Sequence, residues 1–498
     1  MASFIKGTFF LMIVIFLSKL LGFVYRMQFM RIAGEEVVGI YMTAFPAYIF
    51  FISVVQLGLP IAVTKVIAEL HAKGKIADTE AVMKTSIRLS TIAILVILPL
   101  LTLLTPIISD QLLQNPEARY PLIVAICTVP IVVYSSLVRA YLQGLTKITP
   151  TAWATLLEQV IRISLITVLL PYVVTDSSSK TAAYAMGITA IGELSSFIFL
   201  YLHYIFRKKV AKNPNKGYPT APLFRIALPS AGSKLFGTFT WFLEPIIFLK
   251  ALTISGISAS AATTLYGIIS GVHIPLLLFP SFIPAALAIV LIPAVSNAVA
   301  MNNSRLLNER ITISLRLSSL IGCYAATFFF LYGDELAQQL FHLKDSHSYM
   351  KVLAPIFYFY YIQSPLQAIL QAADGAKVAM MNSVYGGVGK LVFMLILAAQ
   401  PFLQQFGAIM AIGLGVLLTS FLHIAAVRSH PKISIGFRIF VVPYMSFIVV
   451  CTAVSFMPKT TMLIGTCIMF VLLTIALVLT KQIRLTDFRY VRSIFARL

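Results

Sequence analysis

Of 498 residues, 59% are hydrophobic and only 11% are charged, and the mean hydropathy is +0.92. Soluble domains carry about 25% charged residues, so this composition excludes a water-soluble globular enzyme and makes lipid the main solvent. A formal charge of +21 would point to nucleic acid in a soluble chain. Here it is accounted for by Lys and Arg gathering on cytoplasmic loops.

A spanning helix needs roughly 20 mostly apolar residues, and apolar runs between polar breaks predict about fourteen such helices. The first six cover residues 7–31, 39–67, 84–108, 121–143, 150–174 and 181–206. The next six cover 223–251, 262–296, 311–332, 350–371, 376–399 and 406–427, and the last two 437–457 and 461–480. The N-terminal run carries Lys19 and Arg26 and lacks a small-residue cleavage pattern, which predicts a first span and no cleaved leader. Pro46, Pro60, Pro130, Pro280, Pro284 and Pro365 interrupt the runs. Such kinks are tolerated where neighbours satisfy the freed carbonyls. Cys127, Cys323, Cys451 and Cys467 lie inside apolar runs without paired spacing, so neither a disulfide framework nor a metal site is expected.

Loop charges orient the chain. With the N-terminus cytoplasmic, the inside receives Lys6, Lys73, Lys75, Lys84 and Lys147, then the cluster from Arg207 to Arg225. It also receives Arg305, Arg310, Lys377, Arg428, Lys432, Arg438 and a tail with Lys481, Arg484, Arg489, Arg492 and Arg497. The outside receives Arg119, Lys180, Lys344, Lys351 and Lys459. The imbalance, about four to one, alternates at nearly every loop and places both termini in the cytoplasm.

The two halves resemble each other. Ser18-Lys19-Leu20-Leu21-Gly22 recurs as Ser233-Lys234-Leu235-Phe236-Gly237, at an offset of 215. Ser136–Gln143 aligns with Ser364–Gln371 at an offset of 228, and the same offset sets Arg162 on Lys390. The expected organisation is an N-lobe with basic linker (1–222), a C-lobe (223–435), and two further helices with a basic tail (436–498). Six helices per repeat is an even number, so the lobes would be parallel repeats with a site between them.

Ionisable residues deep in a span should face protein or a watery cavity. Lys19, Arg162, Glu193, Lys234 and Lys390 are deep by position, and Arg26 and Glu244 lie towards the outer half. Lys19, Gly22 and Arg26 fall on one helical face. Two cations without a local acid suit a phosphate or diphosphate, and Lys234 would add a third. The blander readings are snorkelling or a structural ion pair. Arg162 is a candidate substrate-binding cation and Glu158 a candidate ion-coupling or gate residue, although four residues apart with the acid first they also fit a structural pair. Lys390 fits either role. Lys65, Arg88 and Arg139 lie near cytoplasmic ends and fit snorkelling, while Arg139 with Gln143 could also form an inner gate. Glu244, before Pro245, is a candidate ion or proton site. His342 and His347 fit solvated loop residues. The short loops hold no acid cluster, phosphate-binding loop or nucleophile–base pair, so no catalytic residue and no cofactor is assigned.

The strings SKLLGFVYRMQFMRIAGEEVVGIYMTAFP from Ser18, QLGLPIAVTKVIAEL from Gln56 and LEQVIRISL from Leu157 carry a resemblance. So do PSFIPAALAIVLIPAVS from Pro280 and YFYYIQSPLQAILQAADG from Tyr358. Together they resemble the stage V sporulation protein B-like branch of the polysaccharide biosynthesis (exporter) family, in the multidrug/oligosaccharidyl-lipid/polysaccharide (MOP) flippase superfamily. The likeness runs through nearly the whole chain. It implies an all-α polytopic fold with two six-helix lobes plus two C-terminal helices, in the plasma membrane of a spore-forming bacterium. It also implies outward movement of an undecaprenyl-diphosphate-linked saccharide, with lipid II for spore cortex peptidoglycan as the named candidate. Membrane lipids and cell-wall synthesis proteins would be its partners. The related lipid II flippases open with a Ser-Arg-x-Leu-Gly-Phe-Ala-Arg pattern, which Ser18, Lys19, Gly22 and Phe23 fit in part. Tyr25 stands where the second Arg is expected, with Arg26 one residue later. Gly39 and Ser53 stand where that family has an acid and an arginine. Two other readings are a cation-coupled drug antiporter of the same superfamily and a non-transporting scaffold of a cell-wall complex. The helix-one cations oppose the first of these, because they repel cationic drugs.

Overall fold

A computed structural model describes residues 2–207, 218–344, 348–431, 433–458 and 461–483. The basic residues Lys208, Lys209, Lys212, Lys216, Lys432, Lys459, Arg484, Arg489, Arg492 and Arg497 lie outside them, as do His347 and the side chains of Lys6 and Ser233. The described residues form helices and no strand.

Twelve described stretches are long and apolar enough to cross a bilayer. The first, Phe16–Gln56, has 41 residues, about 60 Å if straight and twice the hydrocarbon thickness. It is not straight. The helix α1 (Ala2–Gln56) contains Gly34 at φ 82° and ψ 173°. The rings of Phe29 and Tyr41 meet at 5.1 Å, whereas continuous helix would hold them about 18 Å apart. The chain therefore turns back at Gly34, which only glycine adopts without strain, and α1 makes two crossings. A further helix, Tyr349–Ala372, is long enough to span at 24 residues, although its Tyr, Gln and Ser residues dilute its hydropathy. With these two adjustments the count is about fourteen, as the sequence leads one to expect.

Residues 3–271 form one packing unit. In it α1 is followed by α2 (Leu59–Ala72), α3 (Ile76–Pro106), α4 (Arg119–Gly144), α5 (Ile148–Val168), α6 (Ser178–Arg207), α7 (Thr220–Ile254) and α8 (Ala259–Ile268). One apolar cluster joins Leu59, Val63 and Ile67 of α2 to Leu137 and Tyr141 of α4 and Tyr204 of α6. The buried Glu80 accepts hydrogen bonds from Tyr204 Oη at 3.1 Å and Tyr141 Oη at 3.4 Å. The α3 face bearing Leu95, Val96, Leu100 and Leu103 is exposed. In water that stripe would drive aggregation, and in a bilayer it is solvated. By packing, α7 and α8 group with this unit, α2 lying against α7. Grouping by packing and grouping by sequence repeat are thus different divisions of the chain.

Residues 272–498 form the second unit. Its helices are α9 (Phe282–Ala300), α10 (Ser304–Phe341), α11 (Tyr349–Ala372), α12 (Ala376–Leu397), α13 (Gln405–Arg428), α14 (Arg438–Ser455) and α15 (Met462–Leu479). Pro443 in α14 has no N–H, which frees the carbonyl of Ile439 one turn earlier. Ser319 Oγ of α10 donates to that carbonyl at 2.9 Å. Tyr358 Oη donates to Phe440 O at 2.7 Å, and Cys323 Sγ to Pro443 O at 3.0 Å. A proline kink is thereby satisfied by side chains of neighbouring helices, and Cys323 serves as a buried donor.

Candidate functional site

The first unit carries an open cavity of about 540 Å³ between α1, α4 and α5, lined among others by Ser18, Lys19, Arg139, Gln143, Thr151 and Thr155. Arg139 is held from two sides. Its Nη1 donates to Thr155 Oγ1 at 2.7 Å and Thr151 O at 3.3 Å, and its Nη2 to Ser196 Oγ of α6 at 3.3 Å. A guanidinium fixed in this way presents its charge without further ordering cost. Lys19 reaches the same cavity from α1, and Gln143 lies one turn beyond Arg139. One cation expected to bind substrate and two residues expected to gate are therefore brought together.

Deeper in the same unit, Arg162 Nη1 meets Glu158 Oε1 at 3.0 Å. Its Nη2 donates to Thr189 Oγ1 at 3.3 Å, and its guanidinium lies 5.0 Å from the centre of the Tyr25 ring. Thr189 Oγ1 is also 3.0 Å from Tyr41 Oη. A methyl group at Gly192 of α6 would collide with the Arg162 stem, so this glycine is what lets the arginine cross. Glu193, the next residue, lies within electrostatic reach of Glu158, Arg162 and Arg139. The hydroxyl of Tyr48 and the Nε of Arg162 are buried without a hydrogen-bond partner. The structural pair expected from the four-residue spacing is present, and a second acid stands beside it.

Arg26 is not part of the cavity lining. Its Nη1 donates to Ser270 O at 3.3 Å, in the π-helical turn Ile269–His273. Such turns leave carbonyls poorly satisfied along the helix. Lys19 and Arg26 share a helical face but stand about 10 Å apart along it, and the structure gives them different surroundings. Lys234 Nζ donates to Gln56 Oε1 at 2.7 Å, and Gln56 Nε2 donates to Ser136 Oγ at 3.0 Å. Gln56 is the last residue of α1, where Leu57 (φ 49°) and Gly58 (φ 70°) break the helix. A Cβ at Gly58 would meet the backbone of Ala227 and Ala231, so α7 passes close by at this break. Glu244 is buried, at 8% exposure, and interacts with the Tyr266 hydroxyl.

In the second unit, Lys390 of α12 crosses α13 at Gly415, where a methyl group would lie 2.6 Å from Lys390 Cβ. Among the described residues, no three His, Cys, Asp or Glu side chains converge on one point.

Reading by residue type missed Gln56, Ser196 and Thr155, and it left Glu193 without neighbours. The Gly58–Pro60 interruption in mid-span was the available signal for Gln56, because broken helices mark sites in transporters. Nothing local signals Ser196 or Thr155, whose role comes from the arginine that reaches them.

A family model described as polysaccharide biosynthesis protein matches residues 4–299. Stage V sporulation protein B of Bacillus subtilis (strain 168) is 34% identical over 464 residues, covering 91% of this chain and 89% of that protein. The solved structure of the lipid II flippase MurJ in an inward closed conformation is similar with a TM-score of 0.71 at 13% identity, over 93% of this chain and 97% of that one. An inward-facing multidrug resistance MATE family transporter of the MOP superfamily gives 0.67 at 16% identity, over 82% and 93%. At these identities the structural likenesses are likenesses of fold. The chain belongs to the polysaccharide biosynthesis protein family and is a multi-pass membrane protein with the fold of the MOP superfamily.

Proposed function

We propose that this protein is a flippase carrying a polyprenyl-diphosphate-linked saccharide outward across a bacterial plasma membrane, with both termini cytoplasmic. The observation that carries the reading is the cavity in which Lys19 and the fixed guanidinium of Arg139 face one space of about 540 Å³. Two cations facing one cleft, with no third group needed to order Arg139, concentrate positive potential where a diphosphate can be met. The saccharide would follow the diphosphate while the polyprenyl chain stays in lipid. Transport would proceed by exposing the cavity alternately to the two sides of the membrane. One relative is a sporulation protein and one structure of this fold is a lipid II flippase. These support lipid II for spore cortex as the first substrate to try, with cell-wall synthesis proteins as partners. The six-plus-six lobe organisation, 1–222 and 223–435, is supported by Arg162 crossing α6 at Gly192 and its repeat mate Lys390 crossing α13 at Gly415.

The buried acids Glu158 and Glu244, with Glu193, and the likeness of fold to a multidrug transporter favour one second reading, a cation-coupled antiporter. The two separate in vesicles reconstituted with the full chain. Under the flippase reading labelled lipid II moves across the bilayer, and Lys19→Ala with Arg139→Gln stops it while folded protein persists. Sodium-coupled ethidium efflux without movement of any polyprenyl glycan gives the antiporter reading instead.

A further inference from the structure

The chain has two tryptophans, and they sit in different settings. Trp153 is exposed near the start of α5, next to the loop that carries Lys147. That is where membrane proteins place aromatic belts. Trp241 is 38% exposed but lies well inside the 35-residue α7, away from either end. It shares a face of α7 with Lys234 and Thr238, at helical spacings of four and three. That face is not built for lipid. A lysine in mid-span that keeps its side chain exposed belongs against a water-filled space. Its ammonium has three N–H donors, of which one meets Gln56 Oε1.

Around Trp241 the first unit gathers rings from the second arm of α1. The Trp241 and Phe45 rings meet edge to face at 5.9 Å. Phe50 stacks on Phe242 at 5.2 Å and touches Phe239 at 5.5 Å. The Trp241 indole is thus braced from one side and open on the other. Open aromatic faces beside a cation and hydroxyls are what a pyranose ring needs. Its C–H face lies on the indole, its hydroxyls find polar groups, and its charged leash meets the ammonium. Lys234 and Trp241 are two helical turns apart, about 10 Å, a separation that a diphosphate and the first one or two sugar rings attached to it span.

We propose that Trp241, braced by Phe45, is the saccharide-recognition surface of this protein, and that Lys234 holds the diphosphate to which the saccharide is joined. The assignment rests on the flippase reading and goes beyond it, because it separates recognition of the sugar from recognition of the phosphates. Lys19 and Arg139 would accept any polyprenyl diphosphate in their cavity, and Lys234 would take it over beside Trp241, where the saccharide is read. Trp241 distinguishes those that carry a sugar.

The test uses the full chain in detergent with Trp153→Phe, which leaves Trp241 as the sole tryptophan. It is titrated with undecaprenyl diphosphate and with undecaprenyl-diphospho-N-acetylglucosamine, and binding is also followed by a labelled-lipid competition assay. The sugar-bearing lipid is expected to bind about tenfold more tightly and to shift the Trp241 emission, which the bare diphosphate leaves unchanged. Trp241→Leu removes the tenfold difference with bare-diphosphate binding intact, and Trp241→Phe keeps most of it. If Trp241→Leu does not fold, Phe45→Leu serves in its place and is expected to shrink the preference. Equal affinity and equal emission for the two lipids overturn this assignment and leave the flippase reading standing. Binding of neither lipid by the unmutated chain overturns the flippase reading and this assignment with it.

Discussion

The two packing units handle membrane-buried polarity differently. In residues 3–271 formal charges lie inside the helix bundle: Glu158 paired with Arg162, Glu193 beside them, Arg139 held by three oxygens, and Lys19 on the cavity. In residues 272–498 much of the interior polarity is neutral, with Arg316 of α10 as a buried charge. Hydroxyl and thiol groups of α10 and α11 donate to the carbonyls around Pro443, and Gln363 Nε2 bonds Ser420 Oγ at 2.8 Å. His273 and Asp334 approach to 3.8 Å. Lys390 packs its stem across Gly415, at a contact between helices lined by Gly386, Gly389 and Gly415. Small residues at such contacts let backbones approach, the usual means of helix association in lipid. Neutral hydrogen bonds and glycine contacts hold helices together at little cost. Buried charges cost several kcal/mol, and their greater number in residues 3–271 accords with the proposal that this unit holds the charged ligand.

The comparison breaks most easily at the Glu158–Arg162 pair. Arg162→Leu leaves two carboxylates near mid-span without their shared cation, and is expected to destabilise the protein by about 3–5 kcal/mol. The double variant Glu158→Leu with Arg162→Leu should cost clearly less than Arg162→Leu alone. Denaturant or thermal unfolding in detergent measures both. Equal losses for the single and double variants would show that packing, not charge, holds this site. A smaller effect is expected at the helix contact of the second unit. Gly415→Leu overpacks α12 against α13 and should cost about 1–3 kcal/mol, whereas Gly232→Leu, where a Cβ meets open space, should cost little by the same measurement. The smallest effect belongs to the neutral network. Ser319→Ala removes one donor from the kink at Pro443 and should cost about 1 kcal/mol, read as a lowered unfolding temperature with transport unchanged.

The crossings were legible from the sequence because the bilayer acts on composition, which survives in one dimension. The Glu158–Arg162 pair was legible for a similar reason, since four-residue spacing on a helix is a contact by geometry. Lys19 and Arg26 show where that logic stops. Sharing a face predicts a shared cavity only over about one turn, and the carbonyl of Ser270 that takes Arg26 is presented by a π-helical turn from distant sequence. The bracing of Arg139 by Thr155 and Ser196 is likewise tertiary, and no local pattern encodes it. Glu193 was visible as a deep acid, but its nearness to Glu158 and Arg162 needed α6 to be laid against α5 at Gly192.

The central claim is that the cations of residues 3–271 carry the diphosphate while Lys390 serves packing. It is tested most directly by initial rates of transbilayer movement of labelled lipid II in vesicles holding equal amounts of folded protein. Lys19→Gln with Arg139→Gln is expected to lower the rate by at least about a hundredfold, matching the loss of two charge-assisted contacts at about 1.5–3 kcal/mol each. Lys390→Gln is expected to change it by less than about threefold, a difference under 1 kcal/mol. Movement at the unmutated rate by the double variant, or its loss on Lys390→Gln alone, would contradict the account.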